Sequence, residues 1–149
     1  MRDDEVPAYL ADAEPQYAQQ LVDYAGMEAD AAQAKARADH EGLFPAGRPR
    51  EDLLLFVLED EEGDAVGRVM YSERPPGSGK AFLWDIEVDS EARGRGYGRE
   101  GMRLFEEDAR ARGLRQVSLN VFGGNEVARS LYRSIGYAES FVEMTKRLD

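Results

Sequence analysis

The chain has 149 residues, 42% of them hydrophobic and 33% charged, with 19 basic side chains against 30 acidic ones, a net charge of −11. That length suits one domain able to bury a continuous core. The absence of cysteine excludes disulfides, thiolate nucleophiles and cysteine-ligated metals, and the acidic balance excludes a large nucleic-acid footprint, which needs a basic face. No apolar run reaches the roughly 18–20 residues of a membrane span. The opening Met-Arg-Asp-Asp-Glu-Val-Pro lacks the basic and apolar segments of a signal peptide, so a soluble cytoplasmic protein is expected. The charge favours cationic partners by electrostatic steering, although the plainer role of an acidic surface is solubility.

Helices are predicted first. Asp3 or Asp4 can cap a helix whose Val6, Tyr9, Leu10 and Ala13 fall at i, i+3, i+4, i+7. Pro15 is expected to open a new helical segment carrying Ala18, Leu21, Val22 and Ala25, broken at Gly26, and Glu28 to Glu41 reads as a further helix. After a loop with Gly42, Pro45, Gly47 and Pro49, the pattern changes to strands. Leu53 to Leu58 and Val66 to Tyr71 flank an acidic turn and predict a hairpin. Ala81 to Val88 follows, with Trp84, Ile86 and Val88 expected on one face and Asp85, Glu87 and Asp89 on the other. Then come a helix from Gly98 to Arg112, a strand from Gln116 to Val121, a helix from Asn125 to Ile135, and a last strand over much of Tyr137 to Leu148. Hairpins followed by a strand–helix–strand unit predict an α/β fold with a mixed sheet.

The most informative stretch is Arg93-Gly94-Arg95-Gly96-Tyr97-Gly98, a basic turn between a strand end and a helix start. Glycines let backbone N–H groups approach an anion, and a helix N-terminus adds unpaired donors and partial positive charge. With Arg93 and Arg95 beside it, the turn predicts a cradle for a phosphate-bearing ligand. Gly96-Tyr97-Gly98-Arg99-Glu100-Gly101 also satisfies a dinucleotide fingerprint. Too few residues follow Gly101 for the rest of such a sheet, however, and the next strand ends in Asn120-Val121-Phe122 with no acid for a ribose.

The turn resembles the R/Q-x-x-G-x-G/A signature of the GNAT superfamily of acetyl-CoA-dependent N-acetyltransferases. Asn125-Glu126-Val127-Ala128-Arg129-Ser130-Leu131-Tyr132, continuing to Gly136-Tyr137, resembles that family's N-x-x-A-x-x-L-Y-x-x-x-G-F/Y segment. The resemblance implies a mixed, mostly antiparallel sheet with two splayed central parallel strands, here Phe82–Val88 and Gln116–Val121, flanked by helices. The family's first strand is expected to be missing, because a helix signal starts so close to Met1. The chain would form a single N-acetyltransferase domain over residues 1–149, with 1–50 a helical acceptor-side region and 82–141 the acetyl-CoA-binding core. Acetyl-CoA, a cosubstrate with no metal beside it, would rest its diphosphate on Arg93, Gly94, Arg95, Gly96, Tyr97 and Gly98. Its pantetheine would pair with main chain at Ile86 and Val88, and Asn125 would touch it.

Acetyl transfer to an amine needs a neutral amine, a polarised carbonyl and a stabilised leaving thiolate. A lysine-like amine with a pKa of about 10.4 is neutral roughly once in a thousand molecules at pH 7, so a base helps. The position that carries a catalytic Glu in some GNAT enzymes is Asn120 here, which cannot act as a base. Glu87 is the expected base, with Asp85 or a bound water as alternatives, and Tyr132 the expected acid for the thiolate. As a bare sequence feature, Tyr132 belongs to the core stripe Ala128, Leu131, Tyr132 and Ile135, and Asn125 is a helix cap. His40, the only histidine, reads as a surface residue, and Asp85, Glu87 and Asp89 lack a histidine to complete a metal site. The function expected is direct transfer of acetyl from acetyl-CoA to an unidentified primary amine, by a monomer or homodimer without nucleic-acid or membrane partners. The alternative is a silent acyl-CoA-binding module. Acceptor choice would fall to the N-terminal helices and the loop at Phe44-Pro45.

Overall fold

The computed structural model describes residues 1–149. Helices α1 (Val6–Ala25) and α2 (Ala29–Leu43) precede strands β1 (Leu54–Glu59), β2 (Ala65–Glu73) and β3 (Lys80–Val88); α3 (Tyr97–Ala111), β4 (Gln116–Leu119) and α4 (Glu126–Ser134) follow. The sheet runs β1-β2-β3-β4, antiparallel up to β3 and parallel between β3 and β4. No helix is long and apolar enough to cross a membrane.

Local chemistry explains most boundaries. Gly26, at φ 66°, ends α1 in a left-handed conformation that L residues adopt at a cost. Asp60 Oδ1 accepts from the amides of Glu62 and Asp64 and so closes the β1–β2 turn. Pro15 does not open a new segment as expected: it lies inside the continuous α1. Tertiary packing outweighs the one backbone hydrogen bond a proline forfeits there, since Val6, Tyr9, Ala13, Ala18 and Leu21 are buried on both sides of it.

The two faces of the sheet carry separate cores. Against α3, Leu58, Val69, Tyr71, Leu83, Met102 and Phe105 pack together. Gly101 brings that helix close, because a Cβ there would sit 2.9 Å from a Leu58 methyl. The Tyr71 hydroxyl, 2.5 Å from Asp108 Oδ2, ties the helix to the centre of the sheet. Against the other face, α1 contributes Val6, Tyr9 and Ala13 to a cluster with Phe44, Leu53 and Met70, while Ala18, Leu21, Ala32 and Ala36 join α1 to α2.

The expected absence of a first strand agrees with the structure: a 3-10 turn over Asp3–Glu5 leads straight into α1, and the Met1 amine donates to the Leu55 carbonyl of β1. The final strand expected over Tyr137 to Leu148 does not form; residues 138–149 belong to no element. The parallel pair consequently ends the sheet, with β4 at its edge. Trp84 also departs from its expected face. The pairing steps from Met70↔Asp85 to Tyr71↔Leu83, so Trp84 is the extra residue of a β-bulge. The bulge turns Trp84 onto the face of Asp85, where its indole donates to Ser72 Oγ at 2.9 Å, and not onto the Ile86 and Val88 face.

Candidate active site

The site forms where β3 and β4 part. Their parallel pairing covers Lys80↔Gln116 to Leu83↔Leu119 and stops, although β3 runs on to Val88. Ile86 and Val88 therefore present a strand edge that β4 does not cover. The far side of the gap is closed from α1: the Tyr24 ring stacks on Phe122, and Gly124 lies close enough to it that a Cβ would meet Tyr24 at 3.0 Å.

The basic turn begins just past Val88. Gly94 (φ 79°) and Gly96 (φ 84°) take left-handed conformations, and a Cβ at either would project into open space. Gly96 is the N-cap of α3 and no side chain caps the helix. None of the backbone N–H groups from Arg93 to Arg99 donates a hydrogen bond within the chain; the first to do so is Glu100, to the Gly96 carbonyl. A run of unpaired amides at the positive end of a helix presents donors of the kind that bind an anion. Arg95 is exposed and makes no ion pair. Arg93, by contrast, folds back, its guanidinium 2.5 Å from Glu87 Oε1 and 3.1 Å from the Val88 carbonyl.

Behind the turn, α4 is fixed by packing and capping. A Cβ on Gly98 would stand 3.3 Å from Leu131, so the two helices meet closely there. Asn125 caps α4, Oδ1 accepting from the Ala128 amide at 3.2 Å, which leaves its side-chain NH₂ for other partners. Tyr132 is half-buried beside Ile135 and Tyr137. Burial first, then the Asp85 and Glu87 carboxylates, push its phenol above the ordinary range, so it stays protonated through neutral pH.

The expected site residues thus gather round one gap: Glu87, Ile86 and Val88 on β3, Arg93, Gly94, Arg95, Gly96, Tyr97 and Gly98 in the turn and helix start, Asn125 and Tyr132 on α4. Asn120 is exposed beyond the end of β4. His40 is half-buried and not a surface residue: its Nδ1 contacts the Ala36 carbonyl and its ring packs between Tyr17 and Phe44.

One network escapes sequence reading. Asp85 Oδ2 accepts from Tyr9 at 3.0 Å and from Arg68 Nε at 2.8 Å, while Arg68 also donates to Gln16 and lies over the Tyr9 ring. Burial leads the rise of the Tyr9 pKa, with the Asp85 charge adding to it. In the sequence Tyr9 looks like one more apolar position of a helix, and nothing marks Arg68 as its neighbour.

Residues 13–137 match the model of the Acetyltransferase (GNAT) family, and the chain belongs to that family. Among its relatives is the uncharacterized N-acetyltransferase YycN of Bacillus subtilis, 30% identical over 99% of this chain and 96% of that protein. Its crystal structure superposes with a TM-score of 0.92 over 99% of this chain and 95% of that one. The uncharacterized N-acetyltransferase YdgE of the same organism is 25% identical over 99% of this chain and 95% of that protein. The aminoglycoside N-acetyltransferase AAC(6')-Iy, in complex with a CoA-linked bisubstrate analogue, shares the fold at a TM-score of 0.61 and 18% identity, covering 100% of this chain and 95% of that one.

Proposed function

We propose that this protein transfers the acetyl group of acetyl-CoA to a primary amine by direct attack in a ternary complex. The observation that carries the reading is the run of unpaired amides from Arg93 to Arg99, laid beside a strand edge that its parallel neighbour leaves uncovered. The first suits a diphosphate; the second suits the amides of a pantetheine arm, at Ile86 and Val88. Acetyl-CoA would supply the acetyl group as an activated thioester. Within this reading residues 1–149 act as one N-acetyltransferase domain, with 82–141 as the acetyl-CoA-binding core and 1–50 on the acceptor side. The Asn125 NH₂ contacts the donor, and the phenol of Tyr132 gives its proton to the departing sulfur.

Glu87 serves as base in preference to Asp85, for a structural reason. Asp85 is committed to Tyr9 and to Arg68, whose side chain is 15% exposed. Glu87 has one hydrogen-bond partner, Arg93, which is 60% exposed and itself belongs to the basic turn. A bound diphosphate attracts the same guanidinium, so donor binding loosens the pair that engages Glu87. The amine acceptor is cationic before it loses its proton, and the carboxylates at this gap favour its approach. The fold match with an aminoglycoside acetyltransferase is consistent with an amine acceptor.

Two variants test these roles once an acceptor is in hand. Tyr132→Phe keeps the ring and its packing, and should lower kcat by roughly 10²–10⁴ with an unchanged melting temperature. Glu87→Gln should lose most activity near neutral pH and recover as pH nears the amine's own pKa. Turnover of Tyr132→Phe within a few-fold of the parent would remove the acid from the scheme, and an unaltered pH–rate profile for Glu87→Gln would remove the base.

A further inference from the structure

Trp84 is the first residue of β3 past the last parallel pair, Leu83↔Leu119, so its side chain stands where the two strands begin to part, on the face of Asp85. It is firmly held. The indole donates to the hydroxyl of the fully buried Ser72, and Phe82 packs edge-on against it with ring centroids 4.6 Å apart. Over this pair of rings lies the guanidinium of Arg74, 4.7 Å from the Phe82 centroid and 4.9 Å from that of Trp84.

A second guanidinium, that of Arg50, approaches the Trp84 ring at 6.0 Å, but it is engaged in two hydrogen bonds to Asp52. Arg74 is not engaged. Its side chain is exposed, donates no hydrogen bond and forms no ion pair within a chain that has 30 acidic residues. The adjacent carboxylate, Glu73, accepts from the Gly79 amide instead. A guanidinium resting on aromatic rings keeps a fork of N–H donors that matches a carboxylate. Glu87 lies three residues further along β3 than Trp84, on the order of 10 Å away. One face of the site thus offers carboxylates at one end and an unpaired cation at the other.

We propose that Arg74 anchors a carboxylate of the acceptor, so that the substrate is an amine carrying a carboxylate several bonds away. The inference rests on the acetyl-transfer reading and narrows its acceptor. The net charge of −11 steers against such a ligand compared with a purely cationic amine, so a preference for it has to come from a local cation.

Calorimetric titration of the CoA-saturated protein reads the anchor without turnover. The probes are glycine, 4-aminobutanoate, 6-aminohexanoate and lysine, each beside its primary amide. 6-Aminohexanoate or lysine should bind about tenfold more tightly than its own amide and than glycine. Arg74→Gln should weaken binding of that acid by about 10–100-fold, as loss of a charged hydrogen-bond donor does, and of its amide by less than about twofold. The melting temperature of the unliganded variant should fall by no more than about 4 °C. Arg50→Gln, beside the same ring, should leave the preference for the acid intact. Equal binding of acid and amide by the parent overturns the proposal, as does the failure of all four acids to bind. So does an Arg74→Gln variant that keeps the preference or weakens acid and amide alike. An acid that binds through Arg74 yet is never acetylated upholds the anchor and counts against acetyl transfer alone.

Discussion

Replacing Gly96 by aspartate separates the cradle's backbone geometry from its charge. At φ 84° any side chain is strained, but a Cβ at Gly96 meets nothing within 4 Å, so the folded protein has room for it. The strain should cost roughly 1–2 kcal/mol, less for Asp or Asn than for other residues. In a chain of this size that lowers the melting temperature by about 2–4 °C per kcal/mol. Ligand binding should suffer far more. A carboxylate about 4–6 Å from a diphosphate charge is repelled by roughly 3–4 kcal/mol at an effective dielectric of about 20. That corresponds to a loss of about 10²–10³ in CoA affinity. Gly96→Asn carries the same bulk without the charge, and should lose much less affinity at a similar melting temperature. Calorimetric titration of CoA into the parent and both variants at low ionic strength reads all three quantities. Wild-type affinity in Gly96→Asp, or equal losses in the two variants, would refute the electrostatic account of this turn.

Other expectations follow from packing and charge. Asp85→Asn should destabilise the fold by about 2–4 kcal/mol, because it leaves the Arg68 guanidinium largely buried without its counter-charge, whereas Glu87→Gln should leave denaturant midpoints almost unmoved. Gly101→Val should cost about 1–3 kcal/mol by pressing on Leu58 and Ile86. Tyr9, Tyr17, Tyr71, Tyr132 and Tyr137 all have raised pKa values, Tyr17 pushed up to about 12 by burial and by its hydrogen bond to Asp39. A raised folded-state pKa contributes stability below the unfolded value near 10, and that contribution is lost as pH climbs through the folded value. Tyrosinate absorbance should therefore lag above pH 10 and rise together with unfolding; ionisation of these five near pH 10 in an intact fold would contradict the buried environments assigned to them.

What the sequence revealed, and what it hid, follows the range of the interactions. The glycine turn, the cap at Asn125 and the β1–β2 hairpin are dictated by neighbours within a few residues, and each lies where the pattern put it. The bulge at Trp84 depends on counting residues against β2, which no local period records. Asp85 meets Tyr9 across 76 positions. Pro15 reads as a breaker until α2 and the sheet hold the helix around it. The segment after Tyr137 has a strand's alternation, but a strand exists only where an edge receives it.

The central claim is tested most directly by offering the protein acetyl-CoA and a panel of primary amines while following free thiol. With no cysteine in the chain, any protein-dependent thiol released is that of CoA. Thiol should be released only when a suitable amine is present, matched one for one by acetylated amine in the mass spectrum. Tight binding of acetyl-CoA with no thiol released for polyamines, aminoglycosides, peptide N-termini, lysines or small amine metabolites would contradict it, and would make the protein a silent acyl-CoA-binding module.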